Sequence, residues 1–590
     1  MNTDQPTINP SRNDRLLHWG ILGAVLLSAA MALTPNVADP DMWGHVQYGR
    51  DVLREGLPAT TSYSFTAEGY PWVNHENLSE IVMAVGVDTV GPVGLLIGKC
   101  LLGLSILGLM LWKYERAKTP LIVSCLAVLL VATNFTNHWN VRPQLASFFS
   151  FALLIVLLDY CFSGWHSNWH LPWFQKNARR DSNLPLQDSH PKMRWLWLCV
   201  PLFFLWTNAH GGFIAGYAVF GLYLVCRLFE LCLTKGTAGQ GMMRRLVLMC
   251  FVGGLTTLIN PYGPGLHQWL LMSLGSPRPE ITEWHQLYSL DMHSLAFFAL
   301  MATTAVTLLL SRKSLDFTQL VVMSAVTWQA SMHQRHIPFL AMLFGFWVVP
   351  HLRDVWAQYF EAKETDQESP SAADDLSPAK RRMMLGALAV VYLILGVSLY
   401  PRLSTMPVPR DAYPVSAVEF IEENNLKGRL IVTYNWAQYA IAALAADGDT
   451  AVQFDGRYRT CYPQNVVDMH FDFILGLSDE YRFREEEKSN DPLARILEYN
   501  NPELVLIDRG QPHSLAIMNA NRDQWSLLYQ DQIAEVWGRS ELFDSLESPR
   551  FLSAAQRVTT ALPQTGAVNW PALPKRQTRS FPLAQIEATR

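Results

Sequence analysis

The sequence predicts a mainly α-helical, polytopic membrane protein that carries a C-terminal extracytoplasmic α/β domain. Three observations predict it. The 590 residues are 50% hydrophobic and only 16% charged, with a mean hydropathy of +0.09; soluble globular chains carry about a quarter charged residues. The apolar residues gather into about eleven stretches, each near the length of about 20 residues that crosses a bilayer. Lys and Arg then recur in every second connection between those stretches.

The expected spans centre on residues 17–34, 92–112, 119–135, 144–162, 195–208, 212–233, 244–260, 293–311, 316–331, 337–352 and 383–400. The first follows a short polar N-terminus without a small-residue cleavage site and reads as an anchor. Seven of the eight cysteines lie in or beside apolar stretches, where Cys behaves as a small hydrophobe, and Cys461 has no partner in the polar part. No disulfide framework or cysteine metal site is expected. A net charge of −5 gives no reason to expect nucleic acid as a partner.

Orientation follows from the basic connections. Lys113, Arg116 and Lys118 form one, and Lys176, Arg179, Arg180, Lys192 and Arg194 the next. Lys235, Arg244 and Arg245, then Arg312 and Lys313, then Lys380, Arg381 and Arg382 continue the alternation. These connections are expected in the cytoplasm with the N-terminus. The alternate connections and everything after residue 407 then lie outside. The expected organisation is a transmembrane module over 1–358 with a long first outer loop at 35–91, a charged cytoplasmic linker at 359–382 and a last span at 383–400. An outer α/β domain over 407–548 and a loosely ordered tail over 549–590 complete it.

Chemically capable residues collect in the outward connections. The first loop opens with Asp39-Pro40-Asp41-Met42-Trp43-Gly44-His45 and holds Trp72, Asn74, His75 and Glu76. Later ones carry Arg142, His210-Gly211-Gly212, Asn260-Pro261-Tyr262-Gly263, the run Pro277–His285 with Glu280, and His333-Gln334-Arg335-His336. Distant segments thus deliver acids, imidazoles and guanidinium groups to one membrane surface, which a composite active site requires. Asp39 and Asp41 suit a helix N-cap, a general base, or ligands of a divalent cation such as Mg or Mn. His75-Glu76 suits a hydrogen-bonded loop pair as well as catalysis, His210 a satisfied helix-end histidine, and Asn260–Gly263 mainly a helix-stopping turn. Arg335, between His333 and His336, needs an anion, either a phosphate or a carboxylate such as Glu280 or Glu283. Lys99, inside the second span, is a functional candidate that can also snorkel outward.

These blocks resemble the GT-C glycosyltransferases, integral membrane enzymes that take a sugar from a polyprenyl-phosphate carrier. The likeness is carried by Asp39–His45, Trp72–Glu76, Asn208–Gly212, Asn260–Gly263, Arg278–Glu280 and Arg335-His336, over roughly residues 15–355. It is nearest to a bacterial group related to the protein-mannosyltransferase and arabinose-transferase branches. The resemblance implies a plasma-membrane enzyme with a lipid-linked sugar donor and a glycan, lipid or protein acceptor. It implies that an acid of the first outer loop, Asp39 or Asp41, is base or metal ligand. Related transferases carry Asp-Glu here whereas this chain carries Asp-Pro-Asp, so the choice between the two stays open. No Trp-Trp-Asp signature is present, which argues against asparagine-linked transfer, and no P-loop or dinucleotide fingerprint occurs. Arg335, Arg142 and the histidines are expected to stabilise a leaving lipid phosphate. His75 and Glu76 join the candidate catalytic set, and His45, Lys99, Arg142, His210, Glu280, His333, Arg335 and His336 the candidate substrate contacts.

In the outer domain, helical patterns at Pro414–Asn424 and Asp491–Tyr499 alternate with strand patterns at Arg429–Tyr434, 450–455, Glu503–Asp508 and 533–538. Asp455-Gly456-Arg457 reads as a turn with a solvated ion pair or as a ligand-binding strand end. Two other functions fit the same sequence. A transporter or flippase would place its polar groups near the bilayer midplane on interrupted helices, and a non-catalytic binder of lipid-linked glycans would use the same outer groove.

Overall fold

Inside lipid a helix satisfies every backbone amide within its own segment, and the apolar stretches are helical accordingly. A computed structural model describes residues 12–165, 191–287, 292–361, 377–445, 448–476, 482–484 and 492–574. The first part of the chain forms α1 (Arg12–Leu33), α2 (Met42–Glu55), α3 (Asn77–Arg116), α4 (Leu121–Phe135), α5 (Gln144–Cys161), α6 (Cys199–Ala209) and α7 (Phe213–Lys235). It continues with α8 (Gln240–Thr256), α9 (Pro264–Gly275), α10 (Met292–Leu310), α11 (Phe317–Met332), α12 (Ile337–Leu343), α13 (Val349–Tyr359) and α14 (Pro378–Ser404).

The chain is a multi-pass membrane protein. Among the described residues, six helical stretches are long and apolar enough to cross a membrane: Arg15–Leu33, Asn77–Arg116, Leu121–His138, Gln144–Cys161, Phe213–Thr256 and Pro378–Ser404. Ser294–Leu310 is a shorter apolar helix. Helix occupies each of the eleven expected stretches, but α6 has 11 residues and α11 has 16, which is short of a full crossing by itself. The first outer loop is more ordered than its polarity suggests. It folds into α2 and the first half of α3, which breaks at Gly91-Pro92 before the apolar half begins, because Pro cannot donate the next helical hydrogen bond.

The outer region forms β1 (Pro407–Pro409), α15 (Val415–Glu423), β2 (Gly428–Val432), α16 (Ala437–Ala440), β3 (Thr450–Val452), α17 (Gln464–Leu475) and β4 (Leu504–Asp508). There follow α18 (Pro512–Ala520), β5 (Trp525–Gln530), β6 (Ala534–Arg539), α19 (Ser540–Phe543), β7 (Val558–Thr559) and β8 (Ala567–Asn569). One sheet runs β3-β2-β4-β6-β5-β7. Strands β3, β2 and β4 are parallel, β6 is antiparallel to β4 and β5, and β7 is parallel to β5. The fully buried strands Leu430–Val432 and Leu504–Ile507 at its centre are the runs whose β-branched residues announced them.

Two expectations fail here. Helix was expected over Asp491–Tyr499, yet the described part has only a short 3₁₀ turn at Arg495–Leu497, where Pro492 and the left-handed Asn500 and Asn501 flank the segment. Residues 549–574 are not a loose tail. β8 pairs with β1, and Trp570 is buried against Trp43 of α2, with ring centroids 6.2 Å apart. Residues 575–590 of that expected tail, and 362–376 of the expected linker, lie outside the described residues.

The outer domain and the first loop are stitched together. The Val452 amide donates to the Tyr63 carbonyl at 2.8 Å and the Phe65 amide to the Val452 carbonyl at 3.2 Å, so the loop extends the sheet beyond β3. Trp43 donates from Nε1 to the Pro571 carbonyl at 2.8 Å and packs on Tyr413 and Tyr439. These contacts fix α2, the helix that presents Asp41 and His45, against the domain.

Candidate active site

Residues four apart share a helix face, and two such pairs build the acidic wall of a cavity of about 290 Å³. Asp41 and His45 are spaced so at the start of α2, and Glu76 and Glu80 at the start of α3. The two helices pack together and bring His45 Nδ1 to 3.0 Å from Glu80 Oε1 and 4.0 Å from Glu76 Oε2. Burial opposes charge on His45, but the Glu80 hydrogen bond and the Glu76, Glu80 and Asp41 carboxylates raise it to about 9. Burial likewise opposes charge on Glu76, yet His75, His45, His210 and Arg335 hold it down at about 2.

The two aspartates differ. Asp39 accepts from Arg142 Nε at 2.7 Å, from Asn140 Nδ2 at 3.1 Å and from the Asp41 amide at 3.0 Å, so its carboxylate is used in fixing the loop. Asp41 makes no capping hydrogen bond to α2 and lies 3.2 Å from Arg142 Nη2. Burial pushes the Asp41 carboxyl up to about 6, against the pull of Arg142. Arg142 also donates to Glu283 Oε1 at 2.7 Å, which leaves it no charge to offer elsewhere.

The imidazoles are held in defined roles. Ser147 Oγ accepts from Trp206 Nε1 at 2.7 Å and faces His210 Nδ1 at 2.7 Å, and the Gly212 amide donates to that same nitrogen at 3.0 Å. With Nδ1 an acceptor, the proton of the neutral ring sits on Nε2, 3.4 Å from Glu76 Oε1. Burial keeps His210 neutral, pushed down to about 3. A Cβ on Gly212 would come 2.4 Å from Ser147 Oγ, and one on Gly211 would come 2.5 Å from His75 Cδ2. The paired glycines therefore let these rings close in. His75 packs on Trp269 with centroids 5.0 Å apart.

Opposite the acids stand cations. Arg335 lies over the Trp284 ring at 4.7 Å and Arg278 packs on the same ring at 4.4 Å. Among the described residues Arg335 forms no ion pair, and burial lowers its affinity for the proton. His336 lines the cavity with Nδ1 unpartnered, and burial pushes it down to about 3. The outer domain closes the cavity with Tyr434, Gln438, Gly456, Tyr458 and Arg459. A Cβ on Gly456 would reach 2.4 Å from Asp41 Oδ1, so the domain's backbone abuts the acid. The neighbouring Asp455–Arg457 pair is buried, not solvated. Arg457 Nη2 meets Asp455 Oδ2 at 2.7 Å, and the guanidinium lies 4.6 Å from both the Tyr48 and Trp72 rings of the first loop.

Of the residues singled out from sequence, Asp41, His45, His75, Glu76, Arg142, His210, Arg335 and His336 line the cavity. Asp39 supports it from behind, and the divalent-cation pairing of Asp39 with Asp41 does not form because Arg142 and Asn140 take the Asp39 oxygen. Three others are turned to structural tasks. Lys99 donates to the carbonyls of Pro35 and Trp139, the latter at 3.0 Å. Glu280 accepts from the Phe483 amide at 2.8 Å and Tyr458 at 3.2 Å. His333 Nδ1 is 2.8 Å from the Trp284 carbonyl.

The sequence reading missed Glu80, Arg278, Trp284, Tyr434 and Arg459 as site residues. Glu80 had a signal in its spacing from Glu76, and Arg278 and Trp284 had one in lying within the outward run Pro277–His285. His45, Glu76 and Glu80 offer ligand atoms within 4.8 Å of one another, and Asn74 Nδ2 donates to Glu80 Oε2 at 2.6 Å. One imidazole and two oriented carboxylates fit a divalent cation of the Mn or Zn type.

No family model matches the chain, and no curated protein matches it. Solved structures do. The oligosaccharyltransferase AglB of Archaeoglobus fulgidus, solved with an inhibitory peptide and dolichol-phosphate, is 10% identical with a TM-score of 0.48, over 84% of this chain and 70% of that one. ArnT of Cupriavidus metallidurans is 12% identical with a TM-score of 0.47, over 89% of this chain and 98% of that one. The arabinofuranosyltransferase AftD from Mycobacteria is 12% identical with a TM-score of 0.40, over 90% of this chain and 40% of that one. At these identities and TM-scores the likeness assigns no chemistry to this chain.

Proposed function

We propose that the protein is an integral membrane glycosyltransferase that moves a sugar from a polyprenyl-phosphate carrier to an acceptor hydroxyl on the extracytoplasmic side of the plasma membrane. One observation carries the reading: across one cavity, the Asp41 carboxyl, raised to about 6, faces the Arg335 guanidinium, which lies over Trp284 and among the described residues has no carboxylate in ion-pair contact. Asp41 is the base. It takes the proton of the acceptor hydroxyl as that oxygen bonds the anomeric carbon, and a pKa near the working pH suits a general base. The bond from the anomeric carbon to the phosphate oxygen breaks, and the electron pair leaves with the lipid phosphate. Arg335 receives that growing charge, with Trp284 holding its plane.

His45, once its ring has given up the proton it shares with Glu80, would hold a divalent cation together with Glu76 and Glu80, and the cation would supply Lewis acidity to the phosphate. His210 donates from Nε2 toward Glu76 and keeps that carboxylate oriented. In this reading the N-terminus and the basic connections are cytoplasmic and the α/β domain is outside. The acceptor is a glycan, lipid or protein.

The test is sugar release from a panel of polyprenyl-phosphate sugars by the protein in nanodiscs, with Asp41→Asn and Arg335→Ala variants that keep the wild-type melting temperature. Release by wild type that the Asp41 change abolishes supports transfer. Donor binding without turnover across a broad acceptor panel points to a non-catalytic binder, and no binding of any lipid-linked sugar sinks the proposal.

A further inference from the structure

The outer domain presents one particular edge to the cavity. Tyr434 and Gln438 follow β2, Gly456 follows β3, and those two strands run parallel. In open α/β sheets the carboxyl ends of parallel strands are the edge that binds ligands. The side chains on this edge divide into two kinds. Most are answered within the protein: Arg457 by Asp455, Arg459 by the Pro277 carbonyl and Gln464, Tyr458 by Glu280, and Thr460 by the Arg457 carbonyl. Tyr434 and Gln438 are not.

Gln438 is 2% exposed. Its Oε1 accepts from the Tyr48 hydroxyl at 2.8 Å, which turns the amide so that Nε2 lies against Gly456. A Cβ on Gly456 would collide with that nitrogen and with Asp41 Oδ1, so the two atoms flank one glycine. Among the described residues this NH2 group donates to nothing. Tyr434 lies four residues earlier, its ring packed near Phe454 and Phe471 with centroids 5.8 and 5.5 Å away. Its hydroxyl forms no hydrogen bond among the described residues, and Asp41 and Tyr458 both act on it. Burial, helped by the Asp41 carboxylate, pushes that phenol well above its ordinary value, so it stays a neutral donor.

Two uncharged donors beside one carboxylate define what fits. An anion here meets the Asp41 carboxylate, and the cation that acts on Asp41, Arg142, is already held by Asp39 and Glu283. A lone alcohol, on a serine or a lipid, gives its proton to Asp41 and leaves Tyr434 and Gln438 unmade. A site built to hydrogen-bond a hydroxyl rejects the ligand that lacks it. A sugar ring offers neighbouring hydroxyls. One bonds the anomeric carbon of the donor and passes its proton to Asp41, as the broken bond's electron pair leaves with the lipid phosphate. The next stays intact and accepts from Gln438 and Tyr434.

We infer that Tyr434 and Gln438 set acceptor specificity, and that the acceptor is a glycan whose attacking hydroxyl has a neutral hydroxyl on the adjacent carbon. The inference rests on the glycosyltransferase reading and narrows its acceptor.

The test is transfer by the full chain in nanodiscs, from the polyprenyl-phosphate sugar that the donor panel selects. Acceptor probes are methyl glycosides of hexoses and pentoses, a peptide containing serine and threonine, and octanol. Linkage analysis of the product locates the attacked hydroxyl, and the glycoside deoxygenated at the adjacent carbon is then added. Wild type is compared with Tyr434→Phe and Gln438→Met, which keep the replaced volume. A methyl glycoside is the expected acceptor. Deoxygenation raises its KM about tenfold or more in wild type, the worth of one buried hydrogen bond. In both variants the parent glycoside already shows the raised KM, and the deoxy analogue loses little more. The KM of the carrier stays unchanged, whereas a merely structural role would move both.

Peptide or octanol used in preference to every glycoside overturns the inference. So does a deoxygenation penalty equal in variants and wild type, or a KM rise shared by carrier and acceptor. Failure of the glycosyltransferase reading looks different, because no lipid-linked sugar binds. Saturation-transfer NMR with the methyl glycosides then decides: contacts that vanish in Tyr434→Phe retain a carbohydrate site at this edge, and no contacts in wild type remove it.

Discussion

Two helices of this protein carry charged groups at both ends, and the two ends behave in opposite ways. α7 begins beside His210 and Gly212 at the cavity, and roughly 20 Å farther along, at about 1.5 Å per residue, presents Arg227 and Glu230. α11 starts at Asp316, which caps it, and ends at His333 beside Arg335. At the far end, Arg227 meets Glu230 at 2.8 Å, Asp316 at 2.5 Å and the Tyr223 hydroxyl at 2.8 Å, with the Tyr223, Phe162 and Trp165 rings packed around it. At the cavity end, Arg335 has an aromatic ring and the cavity beside it, and Glu283 and Glu76 act on it from beyond ion-pair contact. A buried charge that the protein answers itself is a structural tie, and one it leaves unanswered is a place for a ligand.

The largest expected effect breaks the comparison at the cavity. Asp41→Asn is expected to lower turnover by about a hundred- to ten-thousandfold, and Arg335→Ala by about a hundred- to a thousandfold. Each should shift stability by less than about 1 kcal/mol; single-turnover assays and thermal melts of the same preparations check both. The mirror experiment is Arg227→Ala. It leaves two carboxylates without their cation and is expected to cost about 3–5 kcal/mol in stability. Protein rescued by low temperature should turn over at the wild-type rate, and a rate loss there would remove the distinction between the two ends.

A smaller effect sharpens the comparison inside α7 and its cap. Gly212→Ala places a methyl group 2.4 Å from Ser147 Oγ and 2.8 Å from His210 Nδ1. Overpacking of this kind costs about 1–3 kcal/mol, and displacement of His210 from Glu76 should slow turnover about tenfold. Gly221→Ala in the same helix meets nothing within 4 Å and should change neither quantity.

The smallest effects are pH profiles. Asp41 must be ionised to accept a proton, so the rate should rise as pH climbs through about 6 and fall away below it. His45 is raised to about 9, above the ordinary imidazole value. In protein stripped of divalent cations with a chelator, its contribution to stability is therefore present below about pH 6.5 and lost as pH rises through about 9. Melting temperatures across that window should fall in wild type and stay flatter in His45→Gln.

The first-loop half of the site was legible because its residues are near neighbours in the chain: Asp39, Asp41 and His45 lie within two helical turns, and Glu76 adjoins His75. The central strands Leu430–Val432 and Leu504–Ile507 were legible because strands buried on both faces read as continuous apolar runs. Glu80 was within reach by its spacing from Glu76. Arg459, Tyr434 and Gln438 were not, since they enter the site only when the outer domain docks on the first loop through Arg457, Val452 and Trp43. Lys99 misled for the same reason: an ionisable residue in a span signals function until two carbonyls from distant loops are found to occupy it.

By itself the sequence determined that this chain lives in a membrane and gathers acids, imidazoles and guanidinium groups at one end of its spans. Hydropathy and charge alternation are properties of composition along a line, and a line suffices to read them. Only the tertiary structure decided which of those charges are spent and which remain. Arg142 is in ion-pair contact with Asp39 and Glu283, while Arg335 lies over Trp284 with no such contact among the described residues. That difference rests on contacts of a few ångströms between segments more than a hundred residues apart, and no local pattern encodes it.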